Sequence, residues 1–190
     1  PKGKVPLTVS GILEQGMTFW PLIMARELDD AILMLRTNEE EAGVILLKTE
    51  GDIAAVLEID KALAENCDHW FVRETIGMIR RTLSRLDVSS RSLFAIIEEN
   101  SCFSGTLFEL ALAADRSYML DTSENQIGSP EIALSDINFG PLEMINGKSR
   151  LAVRFGDDDN RLGQLQLSAG KRYTSLEAEE EGLITFAPDD

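Results

Sequence analysis

The chain has 190 residues, 44% hydrophobic and 27% charged, the make-up of one globular domain with room for a sizeable core. Its formal net charge of −15 excludes nucleic acid and an anionic membrane surface as general partners, because the mean field repels both. Two cysteines without a CxxC pair and a single histidine, His69, form no disulfide framework and no zinc-ligand set, so no metal and a reduced, cytoplasmic setting are expected.

Residues 1–18 are expected to be an irregular N-terminal segment, with a short strand over 4–9 that Pro6 weakens. From Trp20 to Arg36 the spacing of Ala25, Leu28, Ile32 and Leu35 predicts a helix, and Pro21 suits its first turn. "VILLKT" (44–49) reads as a buried strand, and Glu50-Gly51-Asp52 ends it. Helices are predicted over 53–65 and 70–86, the second with a core stripe of Val72, Ile76, Ile79, Leu83 and Leu86. "SLFAIIE" (92–98) is a second buried strand, "SGTLFELALAAD" (104–115) a helix, and "RSYML" (116–120) a third strand. Residues 157–190 are expected to hold a C-terminal helix, opening near Ser175 and ended by Gly182, and then a strand. Buried strands alternating with helices predict an α/β fold with mainly parallel pairing. No apolar run approaches the roughly 18 to 20 residues of a membrane span.

The helix at 104–115 is apolar almost all the way round, yet Glu109 sits in its middle. The residue types leave three readings open: a solvated edge, a pair with an arginine, or a buried acid beside a helix start. The third carries chemistry. The backbone N–H groups of Ser104, Gly105 and Thr106 follow a strand and a turn, and such a helix start suits an anion or a developing oxyanion. A carboxyl group near it, shielded by Phe103, Phe108 and Leu112, has a raised pKa and trades protons near neutrality. Glu131 in "GSPEIALSDINFG" is a second acid, read from spacing alone as a surface loop residue. Asp136, Glu143, His69 and Cys102 have weaker claims. Lys48 and the Arg80, Arg81, Arg85 group suit phosphates or a solvated helix face.

"SLFAIIEENSCFSGTLFELALAADRSYML" resembles the central segment of the crotonase (enoyl-CoA hydratase/isomerase) superfamily. "SPEIALSDINFG" is similar to its later "PE" loop, and "GKRYTSLEAEEEGLITFAPDD" to its Gly-Leu-Val stretch. Within it, "DHWFVRETIGMIRRTLSRLDVSSRSLFAIIE" and "SDINFGPLE" resemble the second half of the ring-cleaving benzoyl-CoA-dihydrodiol lyase family. The resemblance implies a crotonase-like ββα spiral over residues 1–190 as one domain, a fragment of a longer chain without the C-terminal helices. It implies an acyl-CoA thioester as ligand, no cofactor beyond the coenzyme A carried by the substrate, and cleavage of a ring C–C bond. Glu109 and Glu131 would transfer protons, and the amides of Thr106, Gly105, Ile53 and Ala54 would form the oxyanion hole. The rest of the full-length chain and further copies of it would be partners.

The sequence also departs from that pattern. The first oxyanion loop reads "LKTEGDIAAVLEID", and the usual triple glycine reads "SGT". The alternative is therefore a non-catalytic half that serves assembly and dimerisation.

Overall fold

A computed structural model describes residues 6–122 and 128–189 of the chain. Eight α-helices, among the described residues, are α1 (Val9–Gln15), α2 (Trp20–Asn38), α3 (Ile53–Glu65), α4 (Trp70–Asp87), α5 (Gly105–Ala113), α6 (Arg150–Arg154), α7 (Asp159–Leu167) and α8 (Ser175–Glu180). The strands are β1 (Val44–Leu47), β2 (Ser92–Ile97), β3 (Arg116–Met119), β4 (Ile132–Ala133) and β5 (Arg172–Tyr173).

Strands β1, β2 and β3 form a parallel sheet in that order, with Val44 opposite Ser92 and Phe94 opposite Arg116. Parallel neighbours need long crossovers. Helices α3 and α4 make the first crossover and α5 the second. Beyond β3, Phe186 bridges to Tyr118 in the parallel sense. At the other side β1 is the sheet's edge among the described residues, and Val44 and Leu46 there are 52% and 59% exposed. Strands β4 and β5 pair antiparallel, and Ala133 also bridges to Ser104, which ties the small sheet to the start of α5.

Local chemistry sets the helix starts. The Asp52 side chain accepts from the Ala54 amide and opens α3, and His69 Nδ1 accepts from Phe71 at the head of α4. Thr174 and Glu177 form a reciprocal capping box at α8. The N-terminal expectation fails where it falls on described residues: Thr8 caps α1, so 6–9 is not a strand and 9–15 is not irregular. Residues 4 and 5 lie outside the described residues.

Helix α2 packs on α4, and α5 lies between α3, α4, α6 and the sheet. Phe103, Phe108, Ile97, Met119 and Leu134 are fully buried around α5. No helix among the described residues is long and apolar enough to cross a membrane.

Candidate functional site

Glu109 lies on the middle turn of α5 and is 1% exposed. Its two oxygens are separately held. Asn138 Nδ2 donates to Oε1 at 2.6 Å, and Arg150 Nη1 donates to Oε2 at 2.8 Å. The same guanidinium grips Asp87 with Nε at 3.0 Å and Nη2 at 2.7 Å, and donates to the Leu142 carbonyl. Asn138 is itself fixed, donating to the Gly105 carbonyl and accepting from the Ser135 amide. Of the three readings open in the sequence, the solvated edge is not found, and the other two are found together: Glu109 is a buried acid, and it is paired with an arginine. Burial lifts the Glu109 carboxyl to about 7, although Arg150 and Asn138 pull it down and Asp87 adds to the rise. Burial raises Asp87 as well, against the pull of Arg150.

The start of α5 is also occupied. The Thr106 amide donates to Asp60 Oδ2 at 2.8 Å, and Thr106 Oγ1 donates to Oδ1 at 2.5 Å. Ser135 Oγ donates to Oδ2 at 2.7 Å. Asp60 is thus a carboxylate held by a helix N-terminus and two hydroxyls, 2% exposed. Burial still dominates and raises its pKa to about 6, with the Thr106 and Ser135 bonds opposing. Gly105 makes the arrangement possible. Its φ is +43°, and a Cβ there would overlap Asp60 Oδ2 and come within 2.6 Å of Ser135 Oγ. Asp60 and Ser135 line a cavity of about 320 Å³ together with Leu57, Ile137 and Gly170, and Thr106 does not reach it. The amide expected to face a thioester oxygen faces Asp60 instead.

The other expected donors fare differently. The Ala54 amide bonds to the capping Asp52 at 2.9 Å. Ile53 opens α3 and buries its side chain in the core. Glu131 precedes β4, and Arg172 of β5 donates to its Oε2 at 2.9 Å. Among the described residues Glu109 and Glu131 therefore share no partner, and Glu109 is joined to Thr106 and Gly105 through Asn138 and the helix itself.

Asp60, Ser135, Asn138, Arg150 and Asp87 were not singled out in the sequence. Asp60 did leave a signal: Val56, Ile59, Asp60 and Leu63 form one i, i+3, i+4, i+7 stripe on α3, and all four are buried. An acid in that stripe must be paired or neutral. Arg150, at the head of a five-residue helix, gave no comparable sign.

Over 183 residues, 96% of this chain, the sequence is 54% identical to benzoyl-CoA-dihydrodiol lyase of Aromatoleum evansii. The structure is similar to enoyl-CoA hydratase from Bacillus halodurans, with a TM-score of 0.62 and 19% identity over 88% of this chain and 63% of that one. It is similar also to the enoyl-CoA hydratase from Bacillus anthracis, at 0.58 and 22% over 88% and 60%. The chain has the crotonase fold and is homologous to part of that lyase. No family model matches it. This crotonase-fold chain spans about a third of the length of the lyase, 32%, and about three fifths of the hydratases. The hydratase likeness speaks for the fold alone.

Proposed function

We propose that this chain is the supporting, non-catalytic crotonase unit of a CoA-thioester lyase resembling benzoyl-CoA-dihydrodiol lyase, and that it serves the assembly of the longer enzyme. One observation carries the reading. The helix N-terminus that would stabilise a thioester oxyanion is filled from within by Asp60. An oxyanion hole works because its donors are empty and preorganised before charge develops. A buried carboxylate on the Thr106 amide removes that vacancy, and Ala54 spends its amide on a helix cap. Glu109 joins Arg150, Asp87 and Asn138 into a strut from α5 to α4 and α6, and Glu131 holds the β4–β5 corner through Arg172. The partners under this reading are the remaining two thirds of such a lyase and further copies of it. The reaction, C–C cleavage of a ring-dihydrodiol CoA thioester without a further cofactor in the cytoplasm, then belongs to the whole enzyme.

Two measurements test this. Benzoyl-CoA titrated calorimetrically into the chain is expected to give no binding heat at millimolar ligand. In the full-length lyase, Glu109→Gln and Glu131→Gln are expected to leave kcat within about threefold, whereas losing a general acid or base costs roughly a hundredfold or more. A micromolar constant, or a loss of that size, overturns the reading.

A second reading rests on a different observation. A carboxyl group lifted to about 7 suits proton transfer at neutral pH. In that reading Glu109 and Glu131 act on a thioester held by the amides of Thr106, Gly105, Ile53 and Ala54, and Asp60 must first swing away. Asp60→Ala would then raise the affinity for the thioester. In the supporting reading it only destabilises the fold.

A further inference from the structure

The three-stranded sheet buries one face and leaves the other open. Alternation turns Leu47, Leu93, Ala95, Ile97 and Met119 towards the core, where all five are buried. The parallel register sets the intervening residues in rows on the opposite face, Leu46 beside Phe94 and Ile96 beside Tyr118. The bridge from Tyr118 carries the second row on to Phe186. Ring contacts tie these rows together. Phe94 meets Tyr118 edge-on with centroids 6.2 Å apart, and Tyr118 stacks on Phe186 at 5.4 Å. Val44, Leu46, Phe94, Ile96 and Phe186 belong neither to the core nor to the side chains packed on it among the described residues.

Such a face asks for a cover. All-parallel sheets occur almost always with both faces covered, and a contiguous apolar patch on a soluble surface marks an interaction site. Charge sits at the margins of this one. Lys48 pairs with Glu98 past the end of β1, and Arg116 donates to the Asp115 carbonyl at the start of β3. An apolar centre inside a polar rim is the build of a protein interface. The homology says where a cover can come from. The chain spans 32% of the lyase it matches, so about two thirds of that polypeptide lies outside it. A neighbour on the same polypeptide meets the face at an effective concentration of about millimolar. A second copy has no such tether and brings a further −15 charges against the first.

We propose that the outer face of the β1–β2–β3 sheet docks an apolar surface of the remaining two thirds of the longer lyase polypeptide. This rests on the supporting reading, whose partner it locates on the molecule. The test uses the full-length lyase without substitution, oxidised by a brief pulse of hydroxyl radicals and read residue by residue by mass spectrometry. In this chain Val44 is as open as Val88, 52% against 51%, and Leu46 nearly as open as Leu7, 59% against 54%. Each pair therefore compares one side-chain chemistry at one exposure. In the full-length enzyme Val44 and Leu46 are expected to be oxidised at least about fivefold more slowly than Val88 and Leu7, because a docked surface excludes water. Equal rates within the pairs would overturn the proposal. A second measurement identifies the cover. In a mixture of light and heavy-nitrogen enzyme, cross-links from Lys48 to regions outside this chain are expected to join peptides of one isotope. Links that join the two isotopes place a second copy on the face and overturn the proposal. Neither readout depends on turnover. Equal oxidation rates beside an active Glu109→Gln enzyme end this proposal alone, and slow oxidation beside an inactive one ends the supporting reading alone.

Discussion

Replacing Glu109 by glutamine reads the buried strut directly. Glutamine is neutral at every pH and has the shape of the protonated acid. It keeps one oxygen for Arg150, but its N–H₂ faces the Asn138 amide N–H, a donor against a donor, where the hydroxyl of the protonated acid can still accept; this adds an offset that does not vary with pH. The folded carboxyl takes its proton near pH 7, and the unfolded one near 4.5. A gap of about 2.5 pKa units, at roughly 1.36 kcal/mol each, is about 3 kcal/mol. The pKa is raised by folding, so the folded chain holds a proton that the unfolded chain releases. The stability from that proton is complete below pH 4.5 and is lost as pH rises to about 7. Glu109→Gln lacks that slope. Asp60 and Asp87 titrate in both proteins and largely cancel in the difference. The stability of the variant relative to the parent should therefore shift in the variant's favour by about 3 kcal/mol between pH 4.5 and 8, whatever its absolute offset. Urea denaturation of both proteins at several pH values in that range measures it, with equal slopes as the check on two-state behaviour. A difference that stays flat, or that moves against the variant, would mean that Arg150 keeps Glu109 ionised throughout and that burial does not dominate.

Arg150→Met strands the carboxylates of Glu109 and Asp87 in the interior and should cost about 3 to 5 kcal/mol at pH 8, and less at pH 5 where Glu109 is protonated; denaturant melts at the two pH values separate these outcomes. Gly105→Ala places a Cβ against Asp60 at a φ of +43°, so a loss of at least about 3 kcal/mol is expected. Adding Asp60→Ala should make that loss smaller than the sum of the two single changes, and an additive double variant would show that the clash is not with Asp60. Asp60→Asn should remove a pH slope of about 3 kcal/mol between pH 3.8 and 6, the same sense as Glu109 because its pKa is also raised. Glu131→Gln breaks a half-exposed pair and should change stability by less than about 1 kcal/mol, as seen in a thermal melt.

Long periodic segments were legible in the sequence. The helices expected over 20–36, 53–65 and 70–86 appear as Trp20–Asn38, Ile53–Glu65 and Trp70–Asp87, and the three strands appear within two residues of their expected ends, but β1, expected to be buried, is a sheet edge that leaves Val44 and Leu46 exposed. Each has an apolar stripe or run long enough to fix its own period. Short elements were not legible. The two-residue strands β4 and β5 exist because they pair with each other and with Ser104 from outside, and the five-residue α6 packs on α5. At the site, Glu109 was visible because an acid interrupts an apolar helix. Its partner was not, because Arg150 lies 41 positions away and meets it only once α6 folds back. Asp60 meets Thr106 across 46 positions and Ser135 across 75, distances at which local pattern carries no information about contact. The family resemblance aligned Thr106 with an oxyanion donor, but it could not say that a neighbouring helix supplies the anion.

The open side of β1 bears on handling. Val44 and Leu46 stand out to solvent on a strand whose outer backbone groups have no ladder among the described residues, a template on which a strand from another molecule can grow. Strong negative charge keeps such molecules apart at neutral pH. That repulsion vanishes near the isoelectric point of about 4.5. Yet this is also where the buried carboxyls of Asp60 and Glu109 hold their protons and contribute most to the fold. These two carboxyls thus favour the folded state most where the chain clumps most readily, and a buffer near pH 6 at low salt balances the two.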